Sequence, residues 1–265
     1  LEVGLGGRFD STNVCDPLVS IITSISIDHT QQLGNTLASI AFEKAGIIKP
    51  GRPVVSGVVR PEAREVIRRI SRERQAPLRQ RDVDFHYEHE PACINGGQER
   101  WPRVRVTTWH GVGPWRELRL IGEHQAANAA AAVAAVEVLR EQGLAIRERA
   151  VGDGLAQVRW PARLEIVSRR PLVLLDCAHN VASAQALAQA LVVSFPLARQ
   201  GRRLLIFAGN KDKDLAGMLA VLAPHVDHVY LTRFGNNPRC VPPEQLTLML
   251  PEKLRSAATV CPNTA

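Results

Sequence analysis

Apolar residues recur along the chain with two spacings, one typical of buried strands and the other typical of helices. Residues 18–27 and 53–59 are nearly continuous β-branched runs, which predict strands covered on both faces. Residues 36–45 and 61–75 instead place apolar side chains three and four positions apart, which predicts helices with one buried face. The first part of the chain therefore predicts alternating strands and helices, preceded at residues 1–4 by the end of another buried strand.

The pattern changes between residues 78 and 121. Polar and apolar residues alternate at 103–106 and again at 117–120, with glycines between them, which predicts antiparallel strands joined by loops. An alanine-rich helix over 126–142 and a short helix over 147–157 follow. Alanine at this density allows a helix to pack closely against a sheet.

A second region of alternating strands and helices follows a break at Arg159-Trp160-Pro161. Its predicted elements are strand 172–176, helix 183–194, strand 203–208, helix 215–223 and strand 228–232. This order predicts a parallel open sheet with right-handed crossovers. We therefore predict an α/β protein with two domains, residues 1–158 and residues 159–265.

Composition and charge fit a globular protein and give no sign of a nucleic-acid partner. Hydrophobic residues make up 45% of the 265 residues, and the net charge is +7. The arginines are dispersed apart from one basic run at 199–203, and aromatic residues amount to only 5%. These features disfavour nucleic acid as a partner, whereas dispersed positive charge suits solvated surface and anionic substrates.

The sequence carries no signal for a membrane or for a disulfide framework. The apolar run at 18–27 is too short to span a bilayer and is interrupted by hydroxyl residues, and no signal peptide opens the chain. The five cysteines lie far apart without a Cys-x-x-Cys pair, so a zinc site is not expected either. We predict a reducing, cytoplasmic compartment and no membrane partner.

Glu2, His29 and Lys44 are the candidate site residues near the start of the chain. A carboxylate in an apolar strand is costly unless it is paired or binds a cation. His29 directly follows a buried run, and Lys44 lies near the end of a predicted helix. Structural interpretations remain open: a buried salt bridge for Glu2, a surface position behind a capping Asp28 for His29, and an interaction with the helix dipole for Lys44.

Asp176 is the corresponding candidate in the second domain, since it ends a predicted strand. An acidic residue at the carboxyl end of a strand commonly binds ribose hydroxyls, and it equally suits the N-cap of the next helix. The turn Gly4-x-Gly6-Gly7 is neither a Walker P-loop nor a dinucleotide fingerprint, and the sequence contains no G-x-x-x-x-G-K-[ST]. If the protein uses ATP, we expect its phosphate loop to lie upstream of Leu1.

Several motifs are more specific in their order than any of them is alone. They are LEVGLGGRFDSTN from Leu1, IDH from Ile27, EKAGI from Glu43, GEHQ from Gly122 with Asn128, RLE from Arg163, and DCAHN from Asp176. In this order they closely resemble the folylpolyglutamate synthase/dihydrofolate synthase family, the folate branch of the Mur ligases. The resemblance covers nearly the whole chain and is weakest at 78–117. The first motif is specific to the folate branch, and the Asp-His, Glu-Lys-Ala-Gly and His-Asn elements are shared across Mur ligases.

The resemblance implies both a fold and an activity. The fold is α/β, with a Mur-ligase-like central ATPase domain that has a mixed, mainly parallel sheet, flanking helices and a small antiparallel portion. A Rossmann-like C-terminal α/β domain follows it. The activity is ATP-dependent amide formation, in which a folate or dihydropteroate carboxylate becomes an acyl phosphate that the amine of L-glutamate attacks. Mg²⁺ is the implied metal and a monomer the implied state, and without the phosphate loop this chain alone should not turn over ATP.

The resemblance also implies roles for individual residues at the magnesium and folate end of the site. Glu2 and His29 align with magnesium ligands. Lys44 aligns with a catalytic lysine that family members carry as a carbamate, an anion able to ligate or orient Mg²⁺. The folate-contacting segment aligns with Phe9, Asp10 and Ser11.

Further residues align with the nucleotide and glutamate parts of the site. Asn128 matches an adenine contact, Arg163 an ATP-phosphate contact, and Asp176 the ribose contact. His179, the second candidate catalytic residue, and Asn180 match a motif of the C-terminal domain that we assign to the incoming glutamate or to domain closure.

Two positions depart from the family pattern, and two other functions remain open. Phe9 stands where Leu is usual, and Cys177 stands where Gly is usual. One alternative is a Mur ligase that acts on another acid, such as a UDP-linked cell-wall precursor, although the folate-type first motif argues against it. The other alternative is a non-catalytic binding protein on the same scaffold.

Overall fold

The computed structural model describes residues 1–94, 99–197 and 201–261, so part of the basic run at 199–203 lies outside the described residues. The chain forms two compact units. The first unit comprises Leu1–Glu90, Pro102–Arg119 and Glu123–Arg159. The second unit comprises Pro91–Trp101, Leu120–Gly122 and Trp160–Ala265. The main crossing from the first unit to the second thus lies at residues 159–160, and two short earlier segments also belong to the second unit.

A three-stranded parallel sheet with flanking helices opens the first unit. Its strands are β1 (Ser20–Ile22), β2 (Val54–Ser56) and β3 (Leu78–Gln80), in the order β1-β2-β3. Its helices are α1 (Thr30–Leu33), α2 (Leu37–Ala45) and α3 (Pro61–Glu73). The strands run parallel because a helical connection separates each from the next, with Ser20 beside Val54 and Val54 beside Leu78.

Local sequence explains where α2 and α3 begin and which faces they bury. Thr36 caps α2 in a capping box with Ser39, which satisfies backbone N–H groups that the helix leaves free. Pro61 occupies the first turn of α3, where a missing N–H costs nothing. The apolar sides of both helices pack on Val54 of β2, and this cluster forms the first core.

Helix α4 (Glu123–Glu141) lies between two sheets, which accounts for its alanine content. The second sheet is antiparallel and consists of β4 (His86–Glu90), β5 (Arg103–Thr108) and β6 (Gly111–Glu117). Val55 of β2 and Val104 and Val106 of β5 join one buried cluster with the alanines of α4. Small side chains allow close approach on both sides of the helix. Helix α5 (Glu148–Gln157) completes the unit.

The second unit contains a parallel sheet, a two-stranded antiparallel ribbon and four helices within the described residues. The strands are β7 (Glu165–Arg169), β8 (Leu172–Leu175), β9 (Leu204–Phe207), β10 (His228–Leu231) and β11 (Ala258–Val260). The helices are α6 (Val181–Ser194), α7 (Leu215–Leu222), α8 (Pro243–Met249) and α9 (Glu252–Arg255). The parallel sheet has the order β11-β10-β9, and β7 pairs with β8. Helix α6 contributes Ala184 and Ala188 to one core, and Ala190 and Leu191 to the other.

The predicted α/β fold class is confirmed, with mostly parallel sheets, flanking helices and a small antiparallel portion. The parallel pairs β1-β2 and β9-β10 and the antiparallel sheet β4-β5-β6 lie where the pattern predicts those types of sheet. Strand β3 is parallel to β2, although it lies at the start of the region predicted to be antiparallel. Within the described part of the chain, no helix combines the length and the apolar character needed to cross a membrane.

Three strand predictions are wrong in detail. Residues 1–4 form no strand, and no described strand pairs with them. The side chain of Leu1 is 95% exposed rather than buried. The run at 18–27 gives only the short strand β1, with Leu18 and Ile27 exposed on either side of it. The alternating residues 117–120 begin at the last residue of β6 and form no further strand. Gly111 and Gly113, which the pattern places in a loop, belong to β6 itself.

The placement of β8 also differs from the prediction. Its sequence, LVLL, predicts a strand of the parallel sheet, whereas it pairs antiparallel with β7 and lies outside the sheet β11-β10-β9. Leu172, Val173 and Leu175 are exposed, so an apolar run here does not report burial on both faces. Strand β11, by contrast, is absent from the predicted elements because its short sequence ATV carries little signal.

Candidate active site

The glycine-rich segment near the start of the chain is organised by the carboxylate of Asp10. One carboxylate oxygen accepts hydrogen bonds from the backbone N–H of Thr12 (2.9 Å) and from its hydroxyl (2.5 Å). The other accepts from the backbone N–H of Leu5 (2.9 Å). The Thr12 hydroxyl, followed by these backbone donors, lowers the pKa of Asp10 to about 2. Asp10 therefore fixes the backbone between Leu5 and Thr12, the segment that includes Phe9 and Ser11.

Phe9 and Ser11, the other predicted folate contacts, point outward on either side of Asp10. The Phe9 side chain is 82% exposed, and Ser11 begins a short 3₁₀ turn that Asp10 caps. Glu2 is exposed in an extended segment, which rules out the buried salt bridge that sequence alone left open. These side chains are accessible to a ligand.

Asp28, His29 and Lys44 lie near one another in the first unit. His29 adopts a left-handed backbone conformation (φ 50°) at the start of α1, and its backbone N–H donates to the Asp28 carboxylate (2.8 Å). The His29 ring nitrogen Nε2 is 3.9 Å from the other carboxylate oxygen of Asp28. Burial lowers the pKa of the Lys44 amine, and the Asp28 charge opposes that shift. Lys44 is thus half-buried rather than a solvated helix-end lysine.

The described residues contain no group of three or more His, Cys, Asp or Glu side chains arranged to hold a metal ion. The donors supplied by the first unit are therefore few, namely a carboxylate and an imidazole on adjacent residues with a lysine nearby. Asp28 is absent from the predicted ligands, although its charge acts on Lys44 and its carboxylate contacts His29. The sequence feature that could have identified Asp28 is its position between the apolar run at 18–27 and His29.

Asn128 lies on the exposed side of α4, one turn from the start of the helix. Its side-chain amide donates to the Gln125 side-chain carbonyl (3.3 Å), and Gln125 itself is buried. Asn128 itself is exposed, so its side chain is accessible from solvent.

Arg163 and Asp176 are held together in the second unit by a strained turn. Ala162 and Leu164, on either side of Arg163, both have positive φ values (56° and 48°), which is uncommon for residues other than glycine. The backbone N–H groups of Leu164 (2.9 Å) and Ala178 (2.8 Å) each donate to a different oxygen of the Asp176 carboxylate. Asp176 is therefore not the N-cap of α6, and its carboxylate fixes the turn that presents Arg163.

Cys177 links the three candidate residues of the second unit. The Arg163 guanidinium contacts the Cys177 sulfur, and the backbone N–H of Cys177 donates to Ala162 (3.0 Å). The Nδ1 atom of the exposed His179 lies 3.1 Å from the Cys177 carbonyl oxygen. Cys177 was missing from the predicted site, and its replacement of the usual glycine was the only signal for it.

Asn180 has a structural role that the sequence resemblance does not include. It caps α6 by accepting a hydrogen bond from the backbone N–H of Ser183 (2.8 Å), and the Ser183 hydroxyl completes a capping box. The Ser183 hydroxyl also accepts from the backbone N–H of His179 (3.0 Å). The position of His179 is therefore set by the start of α6.

The structure thus places the candidates in two local groups. In the first unit Asp28 contacts His29, and its charge acts on Lys44. The same unit carries Glu2, the Phe9–Ser11 segment and Asn128, and no hydrogen bond or ion pair among the described residues joins Glu2 to Asp28, His29 or Lys44. Arg163, Asp176 and His179 are together in the second unit around Cys177. The first group offers a carboxylate and an imidazole, which can bind a metal cation, with an amine nearby. The second group offers a guanidinium, which suits phosphate, and a carboxylate.

Comparison with known proteins places both units in one family. The model of the Mur ligase glutamate ligase domain matches residues 162–264. The dihydrofolate synthase/folylpolyglutamate synthase of Bacillus subtilis is 39% identical over 237 residues, which cover 88% of this chain and 53% of that protein. The chain thus spans about half the length of this relative.

Solved structures agree with the sequence comparison. Folylpolyglutamate synthase of Mycobacterium tuberculosis, complexed with ADP and AMPPCP, matches with a TM-score of 0.86 and 37% identity. This match covers 99% of this chain and 58% of that one. The bifunctional folylpolyglutamate synthase/dihydrofolate synthase of Yersinia pestis, complexed with AMPPNP and a Mn ion, matches with a TM-score of 0.80 and 31% identity, over 99% of this chain and 57% of that one. The chain belongs to the folylpolyglutamate synthase/dihydrofolate synthase family of the Mur ligases.

Proposed function

We propose that this chain acts in the ATP-dependent ligation of L-glutamate to the γ-carboxyl group of a tetrahydrofolate, to dihydropteroate, or to both. The observation that carries the proposal is the match over 99% of the chain to a folylpolyglutamate synthase complexed with ADP and AMPPCP. The name of the B. subtilis relative covers both activities. Because the chain spans about half of these proteins, the activity belongs to a protein of the relatives' length.

The reaction proceeds in two steps. A carboxylate oxygen of the folate substrate attacks the γ-phosphorus of ATP, the bond from that phosphorus to the β–γ bridging oxygen breaks, and ADP leaves. The uncharged amine of glutamate then attacks the acyl carbon of the acyl phosphate. The tetrahedral intermediate expels inorganic phosphate, the nitrogen loses a proton, and an amide remains. Both steps bring anions together, so positive charge and exact orientation are what the site must supply.

In this proposal, residues of the first unit bind the folate substrate and the metal ion. Phe9 and Ser11 contact the folate, and Asp10 shapes their segment through its hydrogen bonds to Leu5 and Thr12. Asn128 contacts adenine. These assignments are supported by the exposure of Phe9, Ser11 and Asn128.

In this proposal, residues of the second unit bind the nucleotide and the incoming glutamate. Arg163 contacts ATP phosphate, since its guanidinium offers several donors in one plane. Asp176 contacts the ribose with the lone pairs that its two backbone donors leave free. His179 acts on the glutamate, with its position set by the first turn of α6.

A divalent metal fits the donor set of the first unit. Mg²⁺ is commonly held by one or two carboxylates together with substrate phosphates and water, so a cage of three protein donors is not required. In the proposal Glu2, His29 and Lys44 hold the metal, with Asp28 beside His29 and Lys44. When bound, the metal neutralises the phosphate charge and aligns the attacking oxygen. Manganese with AMPPNP in the Y. pestis relative supports a divalent ion.

We further propose that Lys44 carries a carbamate, formed when its amine adds CO₂ and loses a proton. This modification replaces a cation by an anion next to a metal, which removes the mismatch of a lysine among metal ligands. The half-buried position of Lys44 at the end of α2 supports a role other than solvated surface. We also propose that the protein is a cytoplasmic monomer that binds neither nucleic acid nor membranes.

The experiment is a ligation assay with a protein of the relatives' length that contains these residues. Dihydropteroate, tetrahydrofolate and a UDP-sugar acid compete as acceptors, and mass spectrometry detects the glutamate added to each. We expect only the folate-type acids to react. Reaction of the UDP-sugar acid would favour the cell-wall alternative, and no reaction with intact nucleotide binding would favour the non-catalytic one.

Variants test the metal side directly. Glu2→Gln and His29→Ala should abolish magnesium-dependent ligation while the fold stays intact. Glu62→Gln on α3 and His86→Ala on β4 are exposed controls that should retain activity. Near-normal activity in both site variants would contradict the assignment.

A further inference from the structure

Arg8 and Glu43 are joined by both their main chains and their side chains. The Arg8 backbone N–H donates to the Glu43 carbonyl (2.8 Å). The guanidinium also donates twice to the Glu43 carboxylate, from Nη2 (2.7 Å) and from Nε (3.2 Å). Two parallel hydrogen bonds fix the orientation of an arginine as well as its position. This contact joins the residue before Phe9 to the residue before Lys44.

The same guanidinium also contacts two aromatic rings. Its central carbon is 4.2 Å from the centroid of the Phe9 ring and 4.9 Å from the centroid of the Phe42 ring. Both distances are within the range of cation–π attraction. Because Phe9 is 82% exposed, Arg8 is the described contact that orients its ring, rather than a surrounding apolar core.

Two glycines allow the backbones at this junction to touch. A Cβ atom on Gly46 would lie 2.4 Å from the Cα of Arg8, and one on Gly7 would lie 2.9 Å from the carbonyl oxygen of Glu43. Asn13 spans the same junction, since its side-chain amide donates to the carbonyls of Arg8 (3.0 Å) and Gly46 (3.3 Å). The segment and the end of α2 therefore form one close-packed contact.

We propose that Arg8 and Glu43 are a positioning pair that docks the Phe9–Ser11 segment on the end of α2 that carries Lys44. The pair thereby holds the folate-contacting side chains at a fixed distance from Lys44. This inference rests on the proposed function, because the segment is the proposed folate contact and Lys44 the proposed catalytic residue. Neither Arg8 nor Glu43 needs to touch substrate.

A positioning pair predicts a different result from a purely stabilising one. Ion pairs at the surface contribute little to global stability, and here the Arg8 side chain is 39% exposed and the Glu43 side chain 18% exposed. Small displacements of substrate-positioning groups nonetheless have large kinetic effects. Loss of the pair should therefore release the segment locally and weaken folate binding, while the unfolding temperature changes little.

Arg8→Lys is the main test variant, because lysine keeps the charge and loses the bidentate hydrogen bonding to Glu43. In a ligase of the relatives' length, we expect the KM for the folate substrate to rise about tenfold while the KM for ATP stays unchanged. Glu43→Gln should have the same effect. Combining the two changes should be no worse than either one, as expected of two residues that act as a unit.

Arg105→Lys is the matched control. Arg105 makes the same kind of contact with Glu88 on the antiparallel sheet, with hydrogen bonds of 2.8 and 2.6 Å, and its guanidinium lies 5.0 Å from the Trp115 ring centroid. It is far in sequence from the segment and has no role in the proposed site. Its variant should leave the KM for folate unchanged.

Hydrogen exchange separates the docking contact from the proposed activity. In Arg8→Lys, amide exchange of residues 4–13 should become faster, and in Arg105→Lys it should stay as in the wild type. Unchanged exchange in Arg8→Lys would overturn the docking role, and faster exchange with an unchanged KM for folate would overturn the role in substrate binding. If the wild type itself fails to ligate glutamate, the proposed function fails, while the exchange measurement still decides whether the pair docks the segment.

Discussion

The carboxylate of Asp176 accepts a hydrogen bond from the backbone N–H of Leu164, with 2.9 Å between the two heavy atoms. Leu164 is buried and has a positive φ. The contact joins the strand end at β8 to the turn that carries Arg163. A residue proposed to contact ribose therefore also maintains the local backbone.

Asp176→Asn should destabilise the protein as well as weaken nucleotide binding. The amide NH₂ cannot accept a hydrogen bond, so one of the two backbone donors at Leu164 and Ala178 loses its partner. An unsatisfied buried donor costs about 1–3 kcal/mol of unfolding free energy. Urea denaturation measures this loss, and Asp212→Asn, an exposed residue after β9, is the control. Equal stability of the two variants would contradict the structural role.

Gly46→Ala should destabilise the junction between the glycine-rich segment and α2. The added Cβ would lie 2.4 Å from the Cα of Arg8, so the backbones must separate, and overpacking of this kind costs about 1–3 kcal/mol. Gly154→Ala on α5 is the control, because nothing lies within 4 Å of the position of its Cβ. Alanine in a helix interior should stabilise that variant by about 0.5–1 kcal/mol. An unfolding temperature of Gly46→Ala at or above that of the wild type would show that the contact is not tight.

His89 should make the protein less stable as the pH falls below about 6.5, the ordinary pKa of histidine. Burial on β4 lowers the pKa of His89, while Glu123 opposes the shift, and its Nε2 atom lacks a hydrogen-bond partner among the described residues. Below pH 6.5 the unfolded chain binds a proton that folded His89 does not yet accept, so unfolding becomes more favourable. This contribution to stability is fully present above pH 6.5 and is lost as the pH falls through the lowered folded pKa.

His89→Phe tests this pH dependence. Unfolding temperatures at pH 7.5 and 5.5 should differ less in His89→Phe than in the wild type, since phenylalanine does not titrate. His86→Phe, exposed on the same strand, should retain the wild-type difference. If both variants behave like the wild type, His89 is not the group responsible.

Lys44→Ala should lower the ligation rate by about 10²-fold or more if its carbamate holds or orients the metal, because loss of a charge-stabilising group has effects of this size. Short carboxylic acids should restore part of the activity by replacing the missing carboxylate. Lys253→Ala, an exposed lysine on α9, is the control. Absence of rescue, together with wild-type activity that is indifferent to depletion of bicarbonate, would contradict the carbamate.

The bounds of the longer helices were largely predictable because their signals are local, whereas the short helices α1, α8 and α9 are absent from the predicted elements. Thr36 and Ser39 cap α2 within four residues of sequence, and the alanines of α4 mark a helix that packs on two sides. Strand pairing was less predictable. The apolar run of β8 indicates a strand but does not say that its partner is β7 rather than β9. A hydrophobic pattern reports which side chains are apolar, and the pairing partner depends on the path of the whole chain.

The sequence by itself determined the α/β class, the order of most elements and, through the spacing of its motifs, the family. The tertiary structure decided how the candidate side chains are used. It assigned both oxygens of Asp10 and of Asp176 to backbone donors, and it joined Arg8 to Glu43. It also brought Asp28 close enough to Lys44 for its charge to act on the amine. Hydrogen bonds and ion pairs between residues as distant in sequence as Arg8 and Glu43 leave no periodic trace, because their geometry exists only after the core has brought the segments together.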